Sequence, residues 1–168
     1  KILIYHKAEA PGVFPKIIPL LRQRGLESQI LQYGKYTQRD FNGHLNESRL
    51  AIFISQSETQ GVALLEAWSM NVPTLVWNPR KMLYQGKEFK GASSCPYLSP
   101  ESGLDFVDLK EFEIKIDLIL NEQIKFSPRN YVLKKFSLNH SAQRFAEIVQ
   151  DIIGTNKNED LSYYSHLQ

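Results

Sequence analysis

A chain of 168 residues with 42% hydrophobic and 11% aromatic side chains has the length of one domain and enough apolar content for a packed core, which excludes a disordered chain. Twenty basic and eighteen acidic residues leave a formal charge of +2, too even for a nucleic-acid surface, where basic residues gather on one face. Cys95 is the only cysteine, excluding an internal disulfide or a cysteine-based metal cluster, and the longest apolar runs, at 17–21 and 51–54, are too short to span a bilayer.

Ile2-Leu3-Ile4-Tyr5 is an apolar run of the kind shown by buried parallel strands. No signal peptide precedes it; the chain opens at Lys1 directly into this strand, which reads as a cut from something longer or as a trimmed terminus. A loop at 8–12 leads to a helical pattern carrying Phe14, Ile17, Ile18 and Leu21, with Arg22 and Arg24 in its last turn and Gly25 as C-cap. Pro19 inside that pattern predicts a late start or a kink. Residues 29–33 read as a second strand ended by Gly34, residues 37–47 as a weak helix, and residues 50–55 as a third strand buried on both faces.

Residues 61–70 form the clearest helical segment, stopped by Asn71 and Pro73, and Thr74 to Trp77 form a fourth strand. Residues 80–90 carry Arg80, Lys81, Lys87 and Lys90 against one acid, Glu88; they read as a solvated loop or, more sharply, as a loop closing over a diphosphate. Asp108 with Glu111 marks a capping-box helix start, and Ser127-Pro128 another start with proline at the first helical position. The closing helix places Phe145, Ile148, Val149, Ile152 and Ile153 on one stripe, stopped by Gly154. The expected organisation is therefore one domain over residues 1–154 and a polar tail over 155–168. Strands alternating with helices imply an α/β fold, a parallel sheet flanked by helices that binds ligands at the strands' carboxyl ends.

The first strand ends in His6-Lys7-Ala8-Glu9-Ala10-Pro11-Gly12, which lacks the three-glycine turn of dinucleotide sites, and no phosphate loop ending in Gly-Lys-Ser/Thr occurs. A receiver domain would need paired acids there and an aspartate after the third strand, where Ser55-Gln56 stands. The third strand end runs Ser55-Gln56-Ser57-Glu58-Thr59-Gln60-Gly61-Val62-Ala63-Leu64-Leu65-Glu66. A helix starting at Gly61 places Glu58 on the loop beside its mouth and Glu66 about one and a half turns in. The free amides of Gly61 and Val62 and the positive end of the helix dipole suit phosphates, and the two acids suit hydroxyl groups on either side.

This segment, continuing through Ala67 and Pro73 to Trp77, resembles the glutamate-to-glutamate signature of retaining glycosyltransferases of the GT-B fold. The likeness extends more loosely from Lys1 to about Ile153. It implies a Rossmann-like domain, one half of a GT-B fold, that binds a nucleotide-diphosphate sugar as donor and transfers the sugar to an acceptor hydroxyl with retention. By that resemblance Glu58 contacts donor-sugar hydroxyls near the reacting carbon, Glu66 binds the ribose, and the Gly61 and Val62 amides hold the diphosphate. Tyr33-Gly34-Lys35-Tyr36 falls where the family sets a segment against the nucleobase, which makes Gly34, Lys35 and Tyr36 donor-binding candidates. The arginine and lysine that the family places after the first strand are not both present: Lys7 is the nearest cation and Lys16 a distant second.

The resemblance further implies no metal and no cofactor, since the Asp-x-Asp grip of GT-A enzymes is absent and Asp105 and Asp108 are wrongly spaced for it. It implies an acceptor-binding N-terminal domain or separate subunit as partner, no nucleic acid, and a cytoplasmic setting at or near a membrane face, with peripheral association through the full enzyme. Two other readings stay open: a non-catalytic nucleotide-sugar-binding module that lost its cations, and a GT-B-type nucleotide-sugar epimerase. Residue by residue, plainer roles compete. Glu58 alone would only favour a helix N-terminus, by about 0.3–1 kcal/mol, and Glu66 alone is an ordinary helix-surface residue. His6 reads as a satisfied polar residue at a strand end, Trp68 and Trp77 as core, and Cys95 as structural.

Overall fold

β1 (Ile2–His6), β2 (Ser28–Gln32), β3 (Leu50–Ile54), β4 (Thr74–Trp77) and β7 (Gly103–Phe106) form one parallel sheet in the order β2-β1-β3-β4-β7. The computed structural model describes the chain except residues 8, 9, 11 and 165–168, and describes residues 155–164 by backbone alone. The expected loop at 8–12 thus falls largely outside the described residues. Apart from the partly buried His6 at the end of β1, β1 and β3 are apolar along their length and buried on both faces, as central parallel strands must be when helices cover each side. The result is a Rossmann-like α/β sheet, in which β1 sits between β2 and β3 and the strand order reverses.

The helices α1 (Phe14–Gln23), α2 (Gln38–Asn46), α3 (Val62–Ser69) and α4 (Leu109–Leu120) each bury one stripe. Ile17 and Leu21 of α1 join Ile2, Ile4, Leu50, Ile52, Phe112 and Ile116 in the main core. Pro19 stands within α1, whose helical assignment starts at Phe14 without waiting for it. Arg24 ties the end of α1 to α4: its Nε donates to Asp117 Oδ1 at 2.7 Å and its Nη2 to Glu113 at 3.3 Å. Asp108 caps α4 by accepting from the Glu111 amide at 2.9 Å, while the Glu111 carboxylate accepts from Val107. On the other side of the sheet, buried Trp68 donates through Nε1 to Thr74 Oγ1 at 3.0 Å, fixing α3 to β4.

Two departures from the sequence expectation concern the segment after β4. Residues 80–90 are not a loop: β5 (Lys81–Tyr84) and β6 (Lys87–Lys90) form an antiparallel hairpin, turned at Gln85-Gly86, where both φ angles are positive. β7, which follows, is an additional sheet strand.

The chain divides into two compact units, Lys1–Tyr131 and Val132–Gln168. In the first, Ser127 precedes α5 (Pro128–Phe136), whose residues from Val132 on belong to the second, and the Ser127 carbonyl accepts from the Tyr131 amide at 3.1 Å. The second contains α6 (Leu138–Tyr164), a single helix that continues through Gly154. The helix therefore runs past the stop expected at Gly154: one glycine weakens a helix by roughly 1 kcal/mol but does not break it. The expected stripe of Phe145, Ile148, Ile152 and Ile153 is exposed. Among the described residues no helix is long and apolar enough to cross a membrane.

Candidate functional site

The strand-order reversal lies between β1 and β3, and both strands lead directly into the site. Lys7 follows β1, its amide still continuing the ladder by donating to the Ile54 carbonyl at 2.9 Å. Beyond β3, buried Ser55 shares its hydroxyl proton between Ser57 O at 3.1 Å and Glu58 Oε1 at 2.9 Å, and the Glu58 amide donates to Ser93 O at 2.8 Å. These bonds hold Glu58 at the strand end. Lys7 Nζ then reaches both of its carboxylate oxygens, at 2.9 and 2.8 Å.

Gly61 turns the chain into α3 with φ 62° and ψ 44°, the left-handed region that glycine occupies at no steric cost. It has no side chain to cap the helix, so the first-turn amides of Val62 and Ala63 carry no side-chain cap. The neighbouring α2 differs. There Thr37 and Asp40 form a reciprocal capping box, which satisfies that helix end internally. The uncapped amides and dipole of α3 thus leave a helix mouth whose electrostatics favour an anion. Glu66 stands one turn further along α3, and Gln38 Nε2 donates to its Oε1 at 3.1 Å. Burial raises the Glu66 carboxyl above the ordinary value, and the Gln38 bond opposes that rise.

Three tyrosines make the remaining wall. Tyr5 is buried at the end of β1, Tyr36 donates its hydroxyl proton to the Tyr5 hydroxyl at 3.1 Å, and the Tyr33 ring lies 5.0 Å beneath the Lys7 ammonium. Burial, then the Tyr36 hydroxyl, pushes the Tyr5 phenol far above its ordinary value, so it stays protonated. Tyr5 also meets Tyr33 and Tyr36 edge-on, with centroids 6.3 and 6.0 Å apart.

Together these groups line a crevice of about 320 Å³. A larger hollow of about 440 Å³ opens near Lys1, Arg22 and Glu27. It lies at the amino ends of β1 and β2, whereas parallel sheets bind ligands at the carboxyl ends, so the smaller crevice is the functional candidate.

Of the residues expected from sequence, Lys7, Tyr36, Glu58, Gly61, Val62 and Glu66 all line this one crevice. Gly34 and Lys35 do not. Gly34 takes φ 77° and the Lys35 amide donates to Gln32 O at 3.1 Å, closing a turn that presents Tyr33 and Tyr36 instead. Lys16 is exposed on α1 and outside the lining. The basic segment at 80–90 does not line the crevice either. Its hairpin touches only the approach, where Ser57 meets Met82 Sδ and the Leu83 amide donates to Gln56 at 3.4 Å.

His6 stacks on Phe14 at 3.8 Å, and its buried Nε2 has no partner among the described residues, contrary to the expected satisfied histidine. Besides Tyr33, the lining is completed by Tyr5, Gln38, Thr59, Gln60 and Ala63, which no sequence signal singles out. From sequence Tyr5 reads only as strand core. Cys95 is buried and its thiol is pushed up to about 11, mainly by burial, which leaves it a poor nucleophile at neutral pH. Among the described residues no group of three His, Cys, Asp or Glu could hold a metal ion.

No protein-family model matches this sequence, and no curated protein matches it. An uncapped helix mouth, suited to an anion, lies between two carboxylates able to accept from hydroxyl groups, with an aromatic wall on one side and one ammonium at the edge. This combination fits an anionic ligand that is polyhydroxylated on both sides of its anion and has a flat ring.

Proposed function

We propose that this chain is the donor-binding half of a glycosyltransferase of the GT-B type, and that the crevice between β1, β3, α2 and α3 takes a nucleotide-diphosphate sugar. The observation that carries the reading is the uncapped α3 N-terminus, flanked in one crevice by Glu58 on its loop and Glu66 on its second turn. In this reading the Val62 and Ala63 amides receive the diphosphate, Glu66 accepts from the ribose hydroxyls, and Tyr33 and Tyr36 lie against the base. Glu58 accepts from the sugar hydroxyls, and Lys7 offsets the charge of the departing diphosphate. Transfer to an acceptor hydroxyl, with retention, requires an acceptor-binding domain or subunit facing the crevice. The setting that goes with this reading is cytoplasmic, beside a membrane face.

A second reading is a binding module without transfer. It draws on one observation: among the described residues Lys7 is the sole cation lining the crevice, whereas stabilising a leaving diphosphate calls for strong positive charge. A thermal-shift panel of uridine, guanosine and adenosine diphosphate sugars tests both. A ligand at a hundred times its dissociation constant stabilises the native state by about 2.7 kcal/mol. The expected result is a raised melting temperature with one of the three, abolished by Glu66→Ala. No shift with any of them removes the nucleotide-sugar reading; binding with no transfer once the acceptor-binding partner is present selects the module.

A further inference from the structure

The crevice carries its own counter-ion. Lys7 donates to both oxygens of Glu58 at 2.9 and 2.8 Å, and the pair is shielded, with the two side chains 31% and 16% exposed. Glu66 adds a second carboxylate, so the described lining carries one unbalanced negative charge. A diphosphate entering at the α3 mouth meets a lysine that is already engaged. A sugar beside it meets a carboxylate whose oxygens already accept from Lys7 and Ser55.

We infer that Lys7 and Glu58 are exchange partners: the ligand's diphosphate draws Lys7 away from Glu58, and the freed carboxylate then accepts from the hydroxyl groups of the attached sugar. This inference rests on the nucleotide-sugar reading of the crevice. Lysine is the partner that moves, because its ammonium rides on a flexible four-carbon stem, whereas Glu58 is held by Ser55 and by its own amide on Ser93. A shielded carboxylate stripped of its cation is costly until new donors reach it, and sugar hydroxyls supply them. A nucleoside diphosphate without its sugar leaves Glu58 unmatched. The carboxylate then reclaims Lys7, which favours expulsion of the spent diphosphate and selects ligands that carry both groups.

The test is calorimetric titration of the 168-residue chain with UDP, ADP and GDP and with their nucleosides, in the parent, Glu58→Gln, Lys7→Met and double-variant forms. The amide introduced by Glu58→Gln keeps an oxygen to accept from Ser55. Exchange predicts that Glu58→Gln tightens binding of the preferred diphosphate by about fivefold, the loss expected for one partly exposed ion pair. The same substitution made in the Lys7→Met background gives a clearly smaller gain, because only charge repulsion is then relieved.

On the unsubstituted chain, the Glu58 carboxyl carbon-13 resonance moves with the diphosphate and not with the nucleoside. Equal gains in both backgrounds, or a Glu58 resonance indifferent to diphosphate, overturn the exchange while leaving nucleotide binding intact. If neither the parent nor Glu58→Gln binds any of the three diphosphates, the exchange and the donor-binding reading fall together.

Discussion

Gln38, on the first turn of α2, donates its side-chain amide to Glu66 on α3 at 3.1 Å and also to Asn42 at 3.2 Å. The first of these bonds favours the charged carboxylate, against the burial that raises its pKa. In the nucleotide-sugar reading, ribose hydroxyls donate more strongly to the charged form, so affinity falls as pH drops through the folded-state pKa. Gln38→Ala removes the opposing bond, and the loss of affinity then begins at a higher pH than in the parent chain. At neutral pH we expect nucleoside diphosphate binding weakened by about threefold or more. Dissociation constants measured across the acid range check both statements; coincident pH profiles would dismiss Gln38 as a positioning residue.

The same shift makes a stability prediction for Glu66→Gln. A carboxyl with a raised folded pKa favours folding below its unfolded pKa and loses that benefit as pH rises through the folded value. The neutral amide is free of this penalty. Melting curves should therefore place Glu66→Gln slightly above the parent at neutral pH, with the gap closing in acid, although the variant binds the ligand poorly.

Asp117 titrates in the opposite sense, because the Arg24 guanidinium holds its carboxyl below the usual value. Its contribution is present above the unfolded pKa and disappears as pH falls through the folded one. Asp117→Asn should cost at most about 1 kcal/mol at neutral pH, the scale of a largely exposed ion pair. The difference from the parent should vanish in acid, as followed by urea unfolding at several pH values.

Gly103 permits no side chain. A Cβ built there would lie 2.2 Å from the Thr74 carbonyl oxygen and 2.6 Å from Thr74 Oγ1, the atom that receives the Trp68 indole proton. Gly103→Ala must push β7 away from β4. Overpacking usually costs about 1–3 kcal/mol, and because backbone is struck here we expect the upper end of that range or beyond. Denaturant titration measures it, and a cost below about 1 kcal/mol would show that the strands part easily.

Gly61→Ala is a milder change for the fold and a sharper one for binding. A Cβ there meets Leu64 Cδ1 at 3.2 Å, the movable end of a side chain. The left-handed backbone still costs an alanine about 1–2 kcal/mol. The expected outcome is modest destabilisation with a disproportionate loss of diphosphate affinity, seen by comparing melting temperature with titration on the same sample.

The central sheet was legible because Ile2 to Tyr5, Ala51 to Ile54 and Thr74 to Trp77 are apolar runs too short for helices, and helical stripes alternate with them. β7 escaped notice because Gly103 and Asp105 interrupt its apolar pattern, although Phe106 is fully buried. The β5–β6 hairpin was hidden by its lysines and by a Gln-Gly turn in place of the commoner Asn-Gly. Much of the crevice was readable because Glu58, Gly61 and Glu66 lie in one contiguous stretch. Tyr5 and Gln38 were not, since their roles depend on Tyr36 and Glu66, 31 and 28 residues away. Contacts of that separation are set by the sheet order and leave no local periodic trace.

Gly61 combines three duties that ordinary amino acids perform singly: it reverses the chain, exposes the helix mouth and clears the approach to it. Serine or aspartate at the same position would fill that mouth with its own oxygen once the backbone left the left-handed region for the extended conformation that capping residues take. Among descendants of this chain, then, those still under selection for the anion should keep glycine, whereas those released from it should drift toward a self-capping residue. A single codon would record which lineages went on using the crevice.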